Sequence, residues 1–409
     1  MSPHDAAELR SLFRRHVCQT SAAPLGLIVK RAEGSWIWDG DGHRYLDLLS
    51  GIGVAAIGHC HPAVLAAIRE QCERYLHTMV YGEHVQEPQV ALATRLAHLL
   101  PAPLSVAYFT NSGAEAVEGA LKTARKATGR TRFVAFTGAF HGDTLGALSI
   151  GSNPIYREPF EPLLQEVCFL PFDSTEHLDA IDGRVAAVIV EPVQAEAGVR
   201  IPSPMFLPAL REQTRAAGAL LIFDEVITGL GRCGRLWACE RWDVAPDLIV
   251  LAKALGGGLP LGAFIGSPEV MATLSENPPL AHVTTFGGHP LSCAAGLASL
   301  EVIVTERLWD RAAALGRDFA ARLERSVRQG ALLAVRAAGL LVGLEFAAPE
   351  QARSFVAECL ACGLLVGWTL HDDRVVRLAP PLSLSNEEAA IALSTMERVA
   401  RQLAGRSGK

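Results

Sequence analysis

Five short runs of uninterrupted apolar residues, each followed by a segment able to form a helix, constrain this chain more than any other feature. They are Val106–Phe109, Phe133–Phe136, Val185–Val190, Ala219–Phe223 and Leu248–Leu251. A strand with one wet face alternates apolar and polar residues, whereas a strand covered on both faces does not. The runs therefore predict an α/β domain whose central sheet is mostly parallel and lies between layers of helices. The helix after the first run is the clearest. Val117, Ala120, Leu121 and Ala124 fall at i, i+3, i+4 and i+7, with Glu118, Lys122 and Arg125 on other faces. Half of the 409 residues are hydrophobic and a fifth are charged, so the chain can bury a large core.

From residue 298 the texture changes. Ala/Leu/Arg-rich helical patterns at 298–328 and 386–405 flank strand candidates at Gly343–Phe346 and Val375–Leu378. The expected division is an N-terminal segment 1–52 that packs with a small domain, a large domain 53–297, and a small α+β domain 298–409. Near the start, Ser35–Trp38 followed by Asp39-Gly-Asp-Gly42 reads as a strand and a tight turn.

Several classes of function are disfavoured. A net charge of −6 leaves no basic stripe for nucleic acid. Nine scattered cysteines make no disulfide framework, which points to a reducing, cytoplasmic setting. Cys359-x-x-Cys362 lacks the second pair that a zinc site needs, and Cys60 between His59 and His61 reads as a turn, so no metal is expected. The first fifteen residues carry Asp5 and Glu8 beside three arginines and have no apolar core, unlike a secretory leader. Leu248 to Val270 is the most apolar stretch and has the length of a membrane span, but Gly256–Gly258 and Pro260 break it and Lys253 interrupts it.

That lysine stands between Leu251-Ala252 and Ala254-Leu255, so exposing it would expose its apolar neighbours too. Burial disfavours an ammonium and makes its amine a nucleophile toward carbonyls. Pyridoxal 5′-phosphate is the commonest aldehyde bound in this way, and it needs phosphate donors, a carboxylate for its pyridine nitrogen and packing for its ring. Thr110-Asn-Ser-Gly-Ala-Glu-Ala116 sits between a buried run and a helix, where free N–H groups bind phosphate, although position alone favours a plain Ser N-cap with Glu three residues on, a capping box. Asp224 closes a buried run, where open α/β sheets bind ligands or where an Asp caps a turn. Phe140-His141-Gly142 follows another run and offers either a stacking ring or a core residue. Gly229-x-Gly231-x-x-Gly234 matches a dinucleotide fingerprint, but Pro246 follows too soon for its crossover helix.

Taken in order, Asn111-Ser-Gly-Ala-Glu-Ala116, Phe140-His-Gly142, Glu191-Pro-Val-Gln194, Asp224-Glu-Val226, Leu251-Ala-Lys253 and Thr284-Thr-Phe-Gly-Gly-His-Pro290 resemble the class III (ornithine/acetylornithine/GABA-type) aminotransferases. The likeness extends from Ser50-Gly-Ile-Gly53 to Arg377-Leu-Ala-Pro-Pro381, nearly the whole chain. It implies a fold-type I pyridoxal-phosphate transferase that moves an amino group by ping-pong exchange. It further implies that Lys253 is the Schiff-base lysine, that Ser112, Gly113 and Ala114 cup the phosphate, and that Phe140 and Val226 pack on the ring faces. His141 and Glu191 would lie beside the cofactor, and Asp224 would pair with the pyridine nitrogen. Thr285 resembles the threonine that reaches the neighbouring subunit's cofactor, which implies a homodimer with shared sites, open to tetramer formation.

The same resemblance implies that Arg377 binds substrate carboxylates and that Glu196 masks it when a terminal amine enters. Two departures bear on substrate. Asp143 stands where ornithine- and GABA-type members carry an arginine for glutamate's distal carboxylate, and Ile227 replaces a frequent glutamine. An acid at 143 disfavours 2-oxoglutarate and favours pyruvate or a donor with a cationic far end. The expected reaction takes an amino group from an ω-amino acid or diamine to an α-keto acid. The competing expectations are an aminomutase, a racemase or a decarboxylating transaminase on the same scaffold, a nicotinamide-dependent oxidoreductase, and a non-catalytic binding protein.

Overall fold

A computed structural model of the chain describes residues 6–330 and 332–407; Asp5, named above, lies outside them. Three sheets organise these residues. Near the N-terminus, β1 (Val29–Glu33), β2 (Trp36–Asp39) and β3 (Arg44–Asp47) form an antiparallel meander. The central sheet uses β4 (Val106–Thr110), β5 (Arg132–Phe136), β6 (Val167–Leu170), β7 (Val185–Val190), β8 (Leu220–Asp224), β9 (Leu248–Leu251) and β10 (Gly262–Gly266). The C-terminal part adds β11 (Ala334–Ala338), β12 (Leu341–Glu345), β13 (Leu364–Leu365), β14 (Gly367–Trp368) and β15 (Val375–Leu378).

The seven central strands lie in the order β4-β10-β9-β8-β7-β5-β6, and only β10 runs against its neighbours. Every residue of β7, β9 and β10 is buried, which is the physical content of their uninterrupted apolar sequence. All five predicted runs are strands. The amphipathic helix Gly113–Thr128 buries Val117, Ala120, Leu121 and Ala124 against the sheet. Its C-terminus closes on Gly129 at φ +68, the left-handed cap that glycine takes without a Cβ clash. β4, β5, β7, β8 and β9 all run the same way, so the loops leaving them gather at one edge, where ligands bind in open α/β sheets.

β13 joins β3 in parallel, so the N-terminal meander and the C-terminal part share one sheet, while β11-β12-β15-β14 form another. The helices Leu308–Arg328, Pro349–Ala361 and Asn386–Ser407 accompany the latter. Among the described residues, no helix is long and apolar enough to cross a membrane.

Candidate active site

The loops leaving β4, β5, β7, β8 and β9 enclose a cavity of about 420 Å³. Lys253 stands one residue beyond Ala252, itself next after β9, and adopts φ +49. A side chain with a Cβ is uncommon there, and such strain, roughly 1–3 kcal/mol, persists only where the surroundings impose it. Burial pulls the Lys253 ammonium below its ordinary value, against the opposing charges of Asp224, Glu196 and Glu191. The amine is thereby prepared to act as a nucleophile or a base.

Asp224 ends β8 with its carboxylate buried in the cavity wall. One oxygen lies 2.7 Å from His141 Nδ1 and the other accepts the Val226 N–H at 3.0 Å. A carboxylate only accepts, so Nδ1 carries the hydrogen of this bond. His141 Nε2 is buried and has no partner among the described residues. Glu191 lines the cavity as well. Its two oxygens accept the N–H groups of Phe140 at 3.1 Å and Ala195 at 3.2 Å, pinning the loop after β5 to the loop after β7. Burial, reinforced by Asp224, pushes its carboxyl up to about 7.

Between β4 and the helix Gly113–Thr128, Ser112 is the N-cap and its Oγ accepts the Glu115 N–H at 3.2 Å. Glu115 does not return to Ser112. Its carboxylate takes the backbone N–H and the side-chain amide of Asn111, at 2.7 and 2.9 Å. The N–H groups of Gly113 and Ala114 have no acceptor among the described residues, and both residues line the cavity. A Cβ at Gly113 would lie 3.0 Å from Val226, and one at Gly142 would lie 2.6 Å from Ala114, so these loops close tightly on the helix start. Phe140 and Val226 also face the cavity.

A planar anionic aldehyde fits this arrangement. Free N–H groups at the start of a sixteen-residue helix suit its phosphate. A buried carboxylate braced by a histidine suits a protonated ring nitrogen, and a desolvated lysine lies within the same cavity.

Arg377 is buried on β15 and pairs directly with Glu196 Oε1, while Glu196 Oε2 accepts the Leu370 N–H at 2.8 Å. Glu196 lines the cavity; Arg377 does not. Asp143 is exposed and outside the lining, near enough to Tyr156 and His371 for its charge to favour their protonated forms. Thr285 is exposed in the turn before the helix Pro290–Thr305, away from the cavity of its own chain.

The other motifs stand apart from this site. Cys359 is buried, Cys362 is exposed, and the latter's sulfur accepts from Arg398 at 3.2 Å. Cys60 lies in a turn at φ +52. Gly229–Gly234 forms successive turns leading to a short 3-10 segment, Ala238–Arg241, with no crossover helix between β8 and β9. Sequence reasoning missed the apolar walls Val54, Leu259 and Leu261, and also Tyr156 and His371, which stack on each other beside Phe140. None carries a periodic or motif signal. It also assigned no role to Glu225, whose buried carboxylate accepts the N–H groups of Ala238 and Cys239 at 2.6 and 2.8 Å.

Comparison with known proteins agrees with this geometry. The family model described as aminotransferase class-III matches residues 17–400. The acetylornithine aminotransferase of Methanopyrus kandleri is 44% identical over 96% of this chain and 98% of its own length. The putrescine aminotransferase of Pectobacterium atrosepticum is 39% identical over 99% of this chain and 92% of its own. Among solved structures, the ornithine aminotransferase of Toxoplasma gondii superposes with a TM-score of 0.92 at 31% identity, covering 99% of this chain and 97% of that one.

Proposed function

The chain belongs to the class-III aminotransferases, enzymes that transfer amino groups with pyridoxal 5′-phosphate, and we propose that its donor carries a terminal amine, as an ω-amino acid or a diamine does, and that its acceptor is an α-keto acid. The observation that carries this reading is the pairing of Glu196 with Arg377. With Glu196 in the cavity wall and Arg377 shielded by it, the cavity offers no free guanidinium to a donor's carboxylate. A terminal CH₂–NH₂ group meets no such demand. When Glu196 swings aside, Arg377 is released to bind the carboxylate of the keto acid, so one cavity serves both half-reactions. Acetylornithine and putrescine, after which two of these relatives are named, both present terminal amines.

In this reading Lys253 anchors the cofactor. With its Nζ free, Lys253 would take the proton from the donor's amine-bearing carbon. Asp224, oriented by His141, would pair with the ring nitrogen; Gly113 and Ala114 N–H groups and Ser112 would hold the phosphate; Phe140 and Val226 would pack the ring. Glu191 frames the Phe140 loop. The bound cofactor supplies an aldehyde for the amine and a ring that accepts the electron pair left by deprotonation. Asp143 at the rim would repel a second carboxylate, which favours pyruvate over 2-oxoglutarate and a donor with a cationic far end.

Two copies would pair through a face centred on Phe286, which is exposed and against which His77 packs at 4.8 Å. Thr285 is on that face and would reach the partner's phosphate.

The test is a donor panel of N-acetylornithine, ornithine, putrescine, GABA and alanine, each with pyruvate and with 2-oxoglutarate, read as net amino transfer. At least one terminal amine is expected to react efficiently. Exchange confined to α-amino acids would overturn the donor reading, and a strong preference for 2-oxoglutarate would overturn the role given to Asp143.

A further inference from the structure

The hairpin that carries Arg377 ends in a loop, Thr369–Arg374, that packs on Glu196 and Phe140, two residues of the cavity lining. Inside the loop, Thr369 Oγ1 donates to the Asp372 carbonyl at 2.6 Å, and Thr369 N–H donates to the Val375 carbonyl at 3.0 Å. The loop is thus braced on itself, but six further contacts fix where it sits. Leu370 N–H donates to Glu196 Oε2 at 2.8 Å, and His371 N–H donates to the Glu196 backbone carbonyl at 2.9 Å. The Leu370 carbonyl accepts the Tyr156 hydroxyl at 3.0 Å. The His371 ring stacks on Tyr156 with centroids 5.6 Å apart, meets Phe140 edge-on at 5.9 Å, and brings Nδ1 to 3.2 Å from the Gly138 carbonyl. Because a carbonyl only accepts, Nδ1 carries the hydrogen.

One imidazole therefore joins three segments of the rim: the loop after β5, Tyr156, and the loop over Glu196. Glu196 in its paired state has both oxygens engaged, one by Arg377 and one by Leu370 N–H. To uncover Arg377 it must give up both bonds. Whatever holds Leu370 in place therefore weights the equilibrium between covered and uncovered arginine.

We infer that His371 is a positioning residue that holds the Thr369–Arg374 loop over Glu196 and thereby sets the preference between terminal-amine donors and substrates bound through an α-carboxylate. The inference rests on the proposed masking of Arg377 by Glu196. A substrate that binds only the uncovered state has an apparent affinity reduced by the fraction uncovered, so loosening the loop strengthens its binding by the factor by which that fraction rises.

The experiment measures the amino-donor half-reaction of the holoenzyme with alanine and with putrescine, followed by the visible absorbance of the bound cofactor. His371→Ala is expected to raise the alanine-to-putrescine ratio of kcat/KM by on the order of threefold to tenfold, through a lower KM for alanine at little-changed kcat. His371→Asn keeps an N–H near the position of Nδ1 and is expected to return most of that shift. Parallel losses with both donors, leaving the ratio unchanged, would mean a merely structural role and overturn the inference. Glu196→Gln is the control. A ratio that moves in Glu196→Gln but not in His371→Ala removes the role of the loop and leaves the masking intact; a ratio unmoved in Glu196→Gln removes both.

Discussion

His141 Nδ1 lies 2.7 Å from Asp224 Oδ2, with both side chains buried at the carboxyl edge of the sheet. The bond orients a carboxylate whose other oxygen is already committed to Val226 N–H, so it fixes the plane of the group as well as its position. If Asp224 pairs with the ring nitrogen as proposed, loss of the His141 bond would misalign that pair. Asp224→Ala is expected to slow proton removal from the donor carbon by about 10²–10⁴-fold. His141→Phe fills the space without the bond and should fall between that variant and the wild type. Single-turnover rates with a donor deuterated at its amine-bearing carbon check both. Equal rates for His141→Phe and the wild type would remove the orienting role.

Lys253 should be the sole covalent anchor. Borohydride reduction of the holoenzyme followed by peptide mass mapping is expected to place the cofactor on Lys253, and Lys253→Ala is expected to abolish turnover. A tag on another lysine would reject the assignment.

Gly119 lies mid-helix, where Ala is favoured over Gly by about 1 kcal/mol on propensity alone. Packing opposes this. A Cβ at Gly119 would lie 2.2 Å from the Phe264 ring on β10, against which the helix rests. Overpacking of this kind costs about 1–3 kcal/mol and outweighs the propensity gain. Gly119→Ala should therefore lower the urea midpoint, and a raised midpoint would show that Phe264 moves aside at little cost.

Much of this architecture was legible because burial on both faces writes itself into sequence as continuous hydrophobicity. The strand Val185–Val190 was recognised with its bounds intact, and Lys253 stood out because an amine interrupted such a run. The reversed direction of β10 was not legible. It depends on pairing Gly262–Gly266 with Val106–Thr110, far away in the chain, and no local pattern encodes that. Ser112 illustrates a different limit. The spacing Ser-x-x-Glu fits a capping box, yet Glu115 bonds Asn111 instead, which sequence spacing cannot distinguish. His371 and Tyr156 meet only through loop geometry and had no signal to find.

Glu225 ties the turns after Asp224 to Ala238 and Cys239, and burial pushes its carboxyl up to about 7 from an ordinary 4.5. Between those values the folded chain holds a proton that the unfolded chain has lost. The contribution to stability is therefore full below about pH 4.5 and is lost as pH rises through about 7. Glu225→Gln is neutral throughout but keeps only one acceptor oxygen. It should be less stable than the wild type at pH 5, by about 1–3 kcal/mol, with the gap narrowing by pH 8. Urea midpoints across pH 5 to 8 test this, and parallel curves for the two proteins would contradict it.

Thr285 is exposed beside Phe286, outside its own chain's cavity, so a role at the cofactor phosphate requires a second copy. That requirement can be separated from a role within one chain. Thr285→Asp puts a negative charge where the partner's phosphate would sit and should disable that site, while Lys253→Ala disables the site of its own chain. In a mixed dimer, the chain that keeps Lys253 faces the chain that keeps Thr285, and one of the two sites is whole. Equal mixing of the two inactive variants, with time for subunit exchange, should restore roughly a quarter of wild-type activity, since about half the dimers are mixed and each has one intact site of two. If Thr285 acted within its own chain, every site in the mixture would carry a defect and no activity would return.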